Sequence, residues 1–147
     1  MKVCTTRFGE FEIDERDVIH FEDGMPGFRE LRDFTIVSRG DGGKGSGKLE
    51  FVWLQSLEKP EIAFIIVDSL QVMPDYNPHI DEEDLRALGE YDPDLLAIYS
   101  IVVVPEDVTE TRVNLRAPVI INVGTRKARQ VVTINDEYDV RHMMFKK

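Results

Sequence analysis

The segment 111–123 constrains the fold most, because its odd-numbered residues from 113 onward are apolar and its even-numbered residues are mostly polar. Side chains along a β-strand point alternately to two faces, so this period predicts one long strand with one buried face. The apolar residues are Val113, Leu115, Ala117, Val119, Ile121 and Val123. Pro118 cannot donate a ladder hydrogen bond, so we expect the strand to bend there without losing its register.

Further strands are predicted where apolar, β-branched and aromatic residues run between turn residues. They cover residues 3–8, 10–13, 17–21, 33–38, 49–54, 61–67, 95–104 and 128–134. The first two form a hairpin near Gly9, and the nearly continuous apolar run 61–67 predicts a strand in the centre of a sheet. The fold class is therefore mainly β, a small antiparallel sheet curled into a barrel or sandwich, with one or two short helices.

The only convincing helix in the sequence is predicted to begin after Asp81, a good N-cap residue. Ile80 and Leu85 stand at the spacing of a hydrophobic staple, and Gly89 can end the helix. The acidic run Asp81, Glu82, Glu83 and Asp84 suits the positive end of the helix dipole. Capping on a solvated face would explain this run without any partner.

The chain has 147 residues, a length typical of one domain, so we expect a single domain over residues 1–147. Residues 40–48 are glycine-rich and predict a flexible loop, and the tail 138–147 either packs back or frays. Eighteen Lys and Arg against 28 Asp and Glu give a net charge of −10. Such a surface disfavours nucleic acid and anionic membranes and favours a basic protein partner. The same charge predicts a protein that is monomeric alone.

Catalytic and metal-binding patterns are absent from the sequence. Cys4 is the only cysteine, predicted to be buried and inert, and His20, His79 and His142 lack ligand spacing. We therefore expect no catalytic residues, metal or cofactor, and a binding protein in preference to an enzyme. A single cysteine and no apolar run long enough to span a bilayer predict the cytoplasm.

A competing interpretation is a nucleotide-binding enzyme that uses the glycine-rich loop. Gly42, Gly47 and Lys48 approach a phosphate-binding motif, but Leu49 stands where Ser or Thr should hold magnesium. The loop also precedes a strand instead of a helix, which favours a plain connector. Deleting the loop and measuring nucleotide binding would separate the two interpretations.

A set of short motifs occurs in order along nearly the whole chain. These are Arg7-Phe8-Gly9, Ile19-His20-Phe21, Gly24-Met25-Pro26-Gly27-Phe28, Leu54-Gln55-Ser56, Glu61-Ile62-Ala63-Phe64, Asp75-Tyr76, the run from Asn114 to Asn122, and Gln130-Val131-Val132. Together they closely resemble the flagellar assembly factor family FliW. The resemblance implies a non-enzymatic cytoplasmic protein with a small antiparallel barrel-like fold.

The resemblance also implies two partners. Proteins similar to this family bind flagellin before its export, and they bind CsrA, a small basic RNA-binding protein that represses flagellin translation. The two partners exclude each other, so flagellin export frees the factor to antagonise CsrA. The acidic charge of the chain agrees with a basic partner.

Two groups of residues are candidates for partner binding. The first is Asp75 and Tyr76 with the acidic turn Asp81, Glu82, Glu83 and Asp84, because an aromatic anchor beside carboxylates suits a basic partner. The second is the even face of segment 111–123, with Asn114, Arg116 and Asn122, which could equally hydrogen-bond neighbouring loops. For the turn that contains Gly24 and Pro26 we favour a structural role.

Overall fold

The computed structural model describes residues 1–38 and 51–144. Two α-helices are short: α1 (Ser69–Val72) and α2 (Glu82–Arg86). The eleven strands are β1 (Lys2–Thr5), β2 (Gly9–Glu12), β3 (Ile19–Phe21), β4 (Asp33–Val37), β5 (Phe51–Ser56), β6 (Ala63–Asp68), β7 (Leu96–Val103), β8 (Arg112–Val113), β9 (Val119–Asn122), β10 (Lys127–Gln130) and β11 (His142–Met143). Single 3₁₀ turns lie at Glu15–Asp17, Pro93–Leu95 and Val108–Glu110.

Seven strands close into a barrel in the order β7, β6, β5, β4, β3, β10, β9 and back to β7. The closure depends on β7, because its first half pairs with β9 while its second half pairs with β8. The mainly β, barrel-like prediction is confirmed, and β6 lies in the sheet interior between β5 and β7 as predicted. One pair differs from an all-antiparallel sheet, since β3 and β10 are parallel.

The barrel interior is filled by apolar side chains that alternate inward from its strands. Phe21 and Phe34 are fully buried and meet edge to face, with ring centroids 5.1 Å apart. Leu54 and Ile66 complete the same layer from β5 and β6. Burial of such side chains stabilises the fold by about 1.5–3 kcal/mol each.

The prediction of one continuous strand over residues 111–123 is wrong. This segment is divided into β8 and β9, both antiparallel to β7. Val113 pairs with Val102 and Val119 pairs with Tyr99, so the five residues 114–118 face only Ser100 and Ile101. The alternation of apolar residues survives this bulge, and the sequence pattern alone therefore could not reveal it.

Pro118 accounts for the point at which β9 begins. Val131 donates its N–H to the Pro118 carbonyl at 3.0 Å, but Pro118 has no N–H to return the bond. Thr133 then donates to the Arg116 carbonyl at 2.9 Å, so residues 131–133 run beside residues 116–118, which precede β9, with only half of the hydrogen bonds of an antiparallel ladder. This also explains why β10 ends at Gln130, earlier than the predicted strand 128–134.

Both faces of β9 are buried, where the sequence predicted only one. Val119 and Ile121 face the barrel core, while Ile120 packs against Leu88 and Val131 on the outside. The segment that follows α2 therefore covers the outer face of β9.

The helix prediction is confirmed at its start, whereas the helix ends at Arg86, with Ala87 as its C-cap, three residues before the predicted Gly89. Asp81 accepts a hydrogen bond from the Glu83 N–H at 2.9 Å, and Gly89 follows the helix with a φ of +86°. The sequence analysis missed α1, a single turn that Asp68 caps through the Leu70 N–H. A four-residue helix carries too little periodicity to be recognised.

The predicted hairpin near Gly9 is present as β1 and β2, which form a sheet separate from the barrel. Cys4 is exposed, so the prediction of a buried thiol is wrong. Strand alternation explains this difference, because Val3 and Thr5 face inward and leave Cys4 on the outer face.

The described part of the tail, residues 138–144, packs back on the fold, since Tyr138 is buried and β11 pairs with β8. The predicted flexible loop 40–48, with Gly42 and Lys48, lies outside the described residues.

Candidate functional site

The acidic turn at the start of α2 is held in place by its own first residue. The Asp81 side chain caps the helix by accepting a hydrogen bond from the Glu83 N–H, so it orders the turn and also contributes a negative charge to it. Glu82 and Glu83 are exposed and make no ion pair among the described residues. Two uncompensated carboxylates therefore stand beside the capping carboxylate at one surface.

Arg129 ties this turn to the rest of the barrel. Its Nε lies 3.3 Å from Asp84 Oδ1, and its terminal nitrogen lies 3.2 Å from Asp23 Oδ2. The guanidinium thus bridges α2 and the turn after β3 from its position on β10. Asp84 is consequently half-buried and paired with Arg129, whereas the other three acidic residues of the run are exposed.

The segment that leads into α2 runs beside the segment that follows β10. Ile134 donates its N–H to the His79 carbonyl at 2.7 Å, and His79 donates to Asn135 Oδ1 at 2.9 Å. Ile80 packs in the same small core as Val131. These contacts place the acidic turn next to residues 131–135.

Two large apolar side chains are exposed on this neighbouring segment. Val131 and Thr133 are buried, so Val132 and Ile134 point outward and are 62% and 64% exposed. We define Asp81, Glu82, Glu83, Val132 and Ile134 as the acidic–apolar surface. The sequence analysis missed its apolar half, although the alternation at the end of the predicted strand 128–134 carried the signal.

An open concavity of about 560 Å³ lies beside the acidic turn. Glu82, Arg86, Glu90 and Tyr91 line it together with Gly89. Its walls are mostly charged and it is open to solvent, which suits contact with a protein surface better than enclosure of a small molecule.

Tyr76 is not part of any exposed surface. It is 5% exposed, its ring meets Tyr138 edge to face at 4.6 Å, and its hydroxyl donates to the Leu115 carbonyl. Burial, with a smaller effect of Tyr138, raises the pKa of the Tyr76 hydroxyl above its ordinary value. Asp75 is exposed, but Tyr76, which we expected beside it as an aromatic anchor at the surface, is buried in the core.

The second predicted group does not form a common binding face. Asn122 is 1% exposed, and its amide nitrogen donates to the Leu88 and Glu90 carbonyls at 3.0 Å each. Asn114 accepts hydrogen bonds from the Arg116 and Ala117 N–H groups and so shapes the bulge. The two predicted roles for this group were partner binding and hydrogen bonding to neighbouring loops. The second role explains both asparagines. Arg116 is half-buried and makes no ion pair with the described residues.

The turn after β3 has the predicted structural role. Gly24 has a φ of +69°, and a Cβ there would lie 2.3 Å from the Arg29 carbonyl oxygen. Met25 is 1% exposed, so this turn inserts a core side chain.

Within residues 1–38 and 51–144, no three His, Cys, Asp or Glu side chains converge as metal ligands. His20 Nδ1 lies 2.7 Å from Asp33 Oδ1, a contact between neighbouring strands. No helix in the described part of the chain is long and apolar enough to cross a membrane.

Comparison with known proteins decides the family. The family model described as FliW protein matches residues 2–144. The flagellar assembly factor FliW of Ruminiclostridium cellulolyticum is 42% identical over 97% of this chain and 93% of its own length. The chain belongs to the FliW family.

A second FliW relative, from Caldanaerobacter subterraneus, is 41% identical over 97% of this chain and 91% of its own length. A crystal structure of the flagellar assembly factor FliW superposes with a TM-score of 0.87 at 31% identity. It covers 100% of this chain and 99% of that one. The closed barrel is thus shared with FliW across its whole length, and the chain stands among flagellar assembly factors.

Proposed function

We propose that this FliW family member is a non-enzymatic cytoplasmic regulator that binds flagellin and the basic RNA-binding protein CsrA. In this proposal the two partners exclude each other. Export of flagellin frees the protein, which then antagonises CsrA and so relieves the repression of flagellin translation.

The observation that carries the CsrA half of the proposal is the acidic–apolar surface. Three exposed carboxylates on a capped turn would attract a basic partner, while Val132 and Ile134 supply apolar area that water would leave on binding. Interfaces commonly combine an apolar centre with a polar rim, and these five residues provide both. The net charge of −10 adds long-range attraction for a basic protein.

The first experiment removes the charges and keeps the helix. Asp81→Asn retains an N-cap acceptor, and Glu82→Gln with Glu83→Gln retains the side-chain shapes. We expect the triple variant to bind CsrA roughly tenfold more weakly at low salt, measured by titration calorimetry, because three charge contacts are lost. The affinity of the variant should also depend less on salt.

A matched control separates the effect of losing these three carboxylates from the effect of changing the net charge. Glu15→Gln, Glu61→Gln and Glu106→Gln neutralise three exposed carboxylates on other elements and change the total charge equally. This control should keep most of the affinity for CsrA. Equal losses in both triple variants would show that only overall charge matters, and no loss in either would remove this surface from the proposal.

The apolar half is tested by Val132→Thr and Ile134→Thr, which keep β-branched shapes at exposed positions. Binding should weaken with little change in thermal stability, since neither side chain contributes to the core. Competition by purified flagellin, measured as release of labelled CsrA, tests the mutual exclusion of partners. Formation of a stable ternary complex would contradict it.

A further inference from the structure

Gln55 is a fully buried polar residue on the outer side of the barrel wall. Its strand neighbour Leu54 faces the core, so the alternation of β5 directs the Gln55 side chain away from the core. The amide nitrogen donates to the Ser56, Pro60 and Ile62 carbonyls at 3.0, 3.2 and 3.1 Å. These bonds hold the turn that connects β5 to β6.

The amide oxygen of the same side chain is unpaired. Gln55 Oε1 is buried and accepts no hydrogen bond from the described residues. The three carbonyls around the other amide atom identify that atom as the nitrogen, because an oxygen there would be repelled. The cross-strand neighbours supply no donor, since Ala63 has none and the Thr35 hydroxyl donates to the Asp17 carbonyl at 3.0 Å. An unpaired buried acceptor is costly, so this oxygen calls for a donor from outside the chain.

An open cleft of about 370 Å³ adjoins Gln55. One wall belongs to the turn between β1 and β2, and the other belongs to the segment that enters β6. The lining residues are Thr6, Arg7, Gln55, Pro60, Glu61 and Ala63. The cleft therefore separates the N-terminal hairpin from the barrel at the residue that carries the unpaired oxygen.

The hairpin turn is the wall that can move. Oε1 is enclosed, so a donor reaches it only when a wall of the cleft shifts. The Thr6 N–H donates to the Pro60 carbonyl at 2.9 Å. The Trp53 ring lies 4.3 Å from the Arg7 guanidinium and meets Phe8 edge to face. These side chains are exposed or half-buried, and contacts of this kind break in local openings that leave the rest of a fold intact.

The chemistry of the cleft favours a neutral donor. A carboxylate or phosphate has no N–H and would bring negative charge against Oε1. A cation would have to be buried beside Arg7, while the carboxylate of Glu61 stays exposed to water. A primary carboxamide donates without carrying a charge, and its oxygen can accept from Thr6 or Arg7.

We propose that this cleft receives the carboxamide side chain of an asparagine or glutamine from another protein. The turn between β1 and β2 shifts to admit it, the entering NH₂ group donates to Gln55 Oε1, and the entering oxygen accepts from Thr6 or Arg7. A protein side chain is the suitable occupant, because the open mouth leaves room for the chain that carries it and would leave a free small molecule largely in water.

The test uses the full chain and three tripeptides with glycine on either side of a central glutamine, glutamate or methionine. Acetyl and N-methylamide caps remove terminal charges and add no second primary carboxamide. The three central side chains have similar shapes, but only glutamine has an N–H donor. We expect NMR signals of the Gln55 NH₂ group to show saturable binding of the glutamine peptide, at least about tenfold tighter than binding of the other two.

The other outcomes of the titration are equally informative. Equal binding of the three peptides, or tighter binding of the glutamate peptide, overturns the proposal, because apolar contact or attraction by Arg7 would then explain it. No saturable binding of any peptide also overturns it. Free glutamine should bind no more tightly than the glutamine peptide, and tighter binding would overturn the assignment to a protein side chain.

Substitutions locate the contact within the protein. Ala63→Val narrows the cleft and leaves the Gln55 side chain unaltered, and valine suits a strand. It should weaken binding of the glutamine peptide at least about tenfold. Ala87→Val makes the same change in a half-buried residue beside α2 and should keep full binding. Unchanged binding in Ala63→Val overturns the proposal.

Gln55→Met removes the acceptor itself and should abolish the preference for the glutamine peptide over the methionine peptide. This variant also loses the bonds to the turn before β6, so Ala63→Val decides the matter if Gln55→Met does not fold.

Fluorescence reports the movement of the hairpin turn. Trp53 is the only tryptophan, and Arg7 and Phe8 pack against its ring. Its emission should change in parallel with the NMR titration, and binding without such a change overturns the proposed shift of the turn. The cleft shares no residue with the acidic–apolar surface. The triple acidic variant should therefore keep full peptide binding, and the two proposals can fail separately.

Discussion

The Tyr76 hydroxyl donates a hydrogen bond to the carbonyl oxygen of Leu115, 39 residues further along the chain. The bond satisfies a buried carbonyl in the bulge between β8 and β9. The Tyr138 hydroxyl in turn accepts the Asn77 N–H at 2.8 Å, so two tyrosines that meet edge to face join the segment before α2 to the segment before β11.

Replacing Tyr76 by Phe should lower the free energy of unfolding by about 1–3 kcal/mol, because a buried acceptor loses its partner. Urea unfolding followed by circular dichroism measures this change. Tyr91→Phe is the control, since Tyr91 is half-buried and its hydroxyl has no bond to a described residue. A loss no larger than that of the control would mean that the Leu115 carbonyl finds another donor.

The stability of the protein at alkaline pH should depend on the same Tyr76 hydroxyl. Because burial raises the pKa of Tyr76 in the folded protein, the folded state holds this proton more tightly than the unfolded state. Its contribution to stability is therefore complete below the ordinary tyrosine pKa of 10.0 and is lost as pH rises above it. Unfolding curves at rising pH should show a smaller alkaline loss for Tyr76→Phe than for the parent protein.

Asn122 and Asn114 should differ strongly in how far the same substitution destabilises the fold. Asn122→Asp would turn a donor into an acceptor that faces the Leu88 and Glu90 carbonyls, and we expect a loss above about 2 kcal/mol. Asn114→Asp keeps the oxygen that accepts from Arg116 and Ala117, so stability should change by less than about 0.5 kcal/mol. Thermal unfolding of both variants at neutral pH makes the comparison, and similar losses would contradict it.

The strands and the capped helix could be predicted because their signals are local. Alternation identifies a strand, and Asp81 with Gly89 bounds a helix, whatever the rest of the chain does. The division of segment 111–123 could not be predicted, since the bulge leaves the alternation intact and depends on the pairing of β7 with two strands. Closure through the parallel pair of β3 and β10 is likewise a long-range property.

The candidate site was only half predictable for a related reason. The acidic turn is visible in the sequence, but the burial of Tyr76 depends on Leu115 and Tyr138, which lie far along the chain. A tyrosine between prolines and polar residues carries no local sign of burial. The exposure of Val132 and Ile134, by contrast, had a local signal, because both alternate with the buried Val131 and Thr133.

Gly24 should tolerate alanine far less than Gly27 does. Both have positive φ, which costs an alanine about 1–2 kcal/mol, but a Cβ at Gly24 would also lie 2.3 Å from the Arg29 backbone oxygen. At Gly27 nothing lies within 4 Å of the added Cβ. We therefore expect Gly27→Ala to fold with a modest loss and Gly24→Ala to lose several kcal/mol more or fail to fold. Melting temperatures and soluble yields compare the two, and equal behaviour would mean that the turn shifts freely.

Asp81 combines two roles that different substitutions separate. Asp81→Ala removes both the cap and the charge, and it should lower the free energy of unfolding by about 1 kcal/mol, whereas Asp81→Asn removes only the charge and should cost much less. Urea unfolding in low and high salt tests this, because the difference between the variants comes from a hydrogen bond and should persist when charges are screened. If the difference disappears in high salt, Asp81 acts on the helix through its charge. The weaker CsrA binding expected of the triple variant, which includes Asp81→Asn, could then no longer be assigned to lost contacts alone, because the turn that presents Glu82 and Glu83 would itself have loosened.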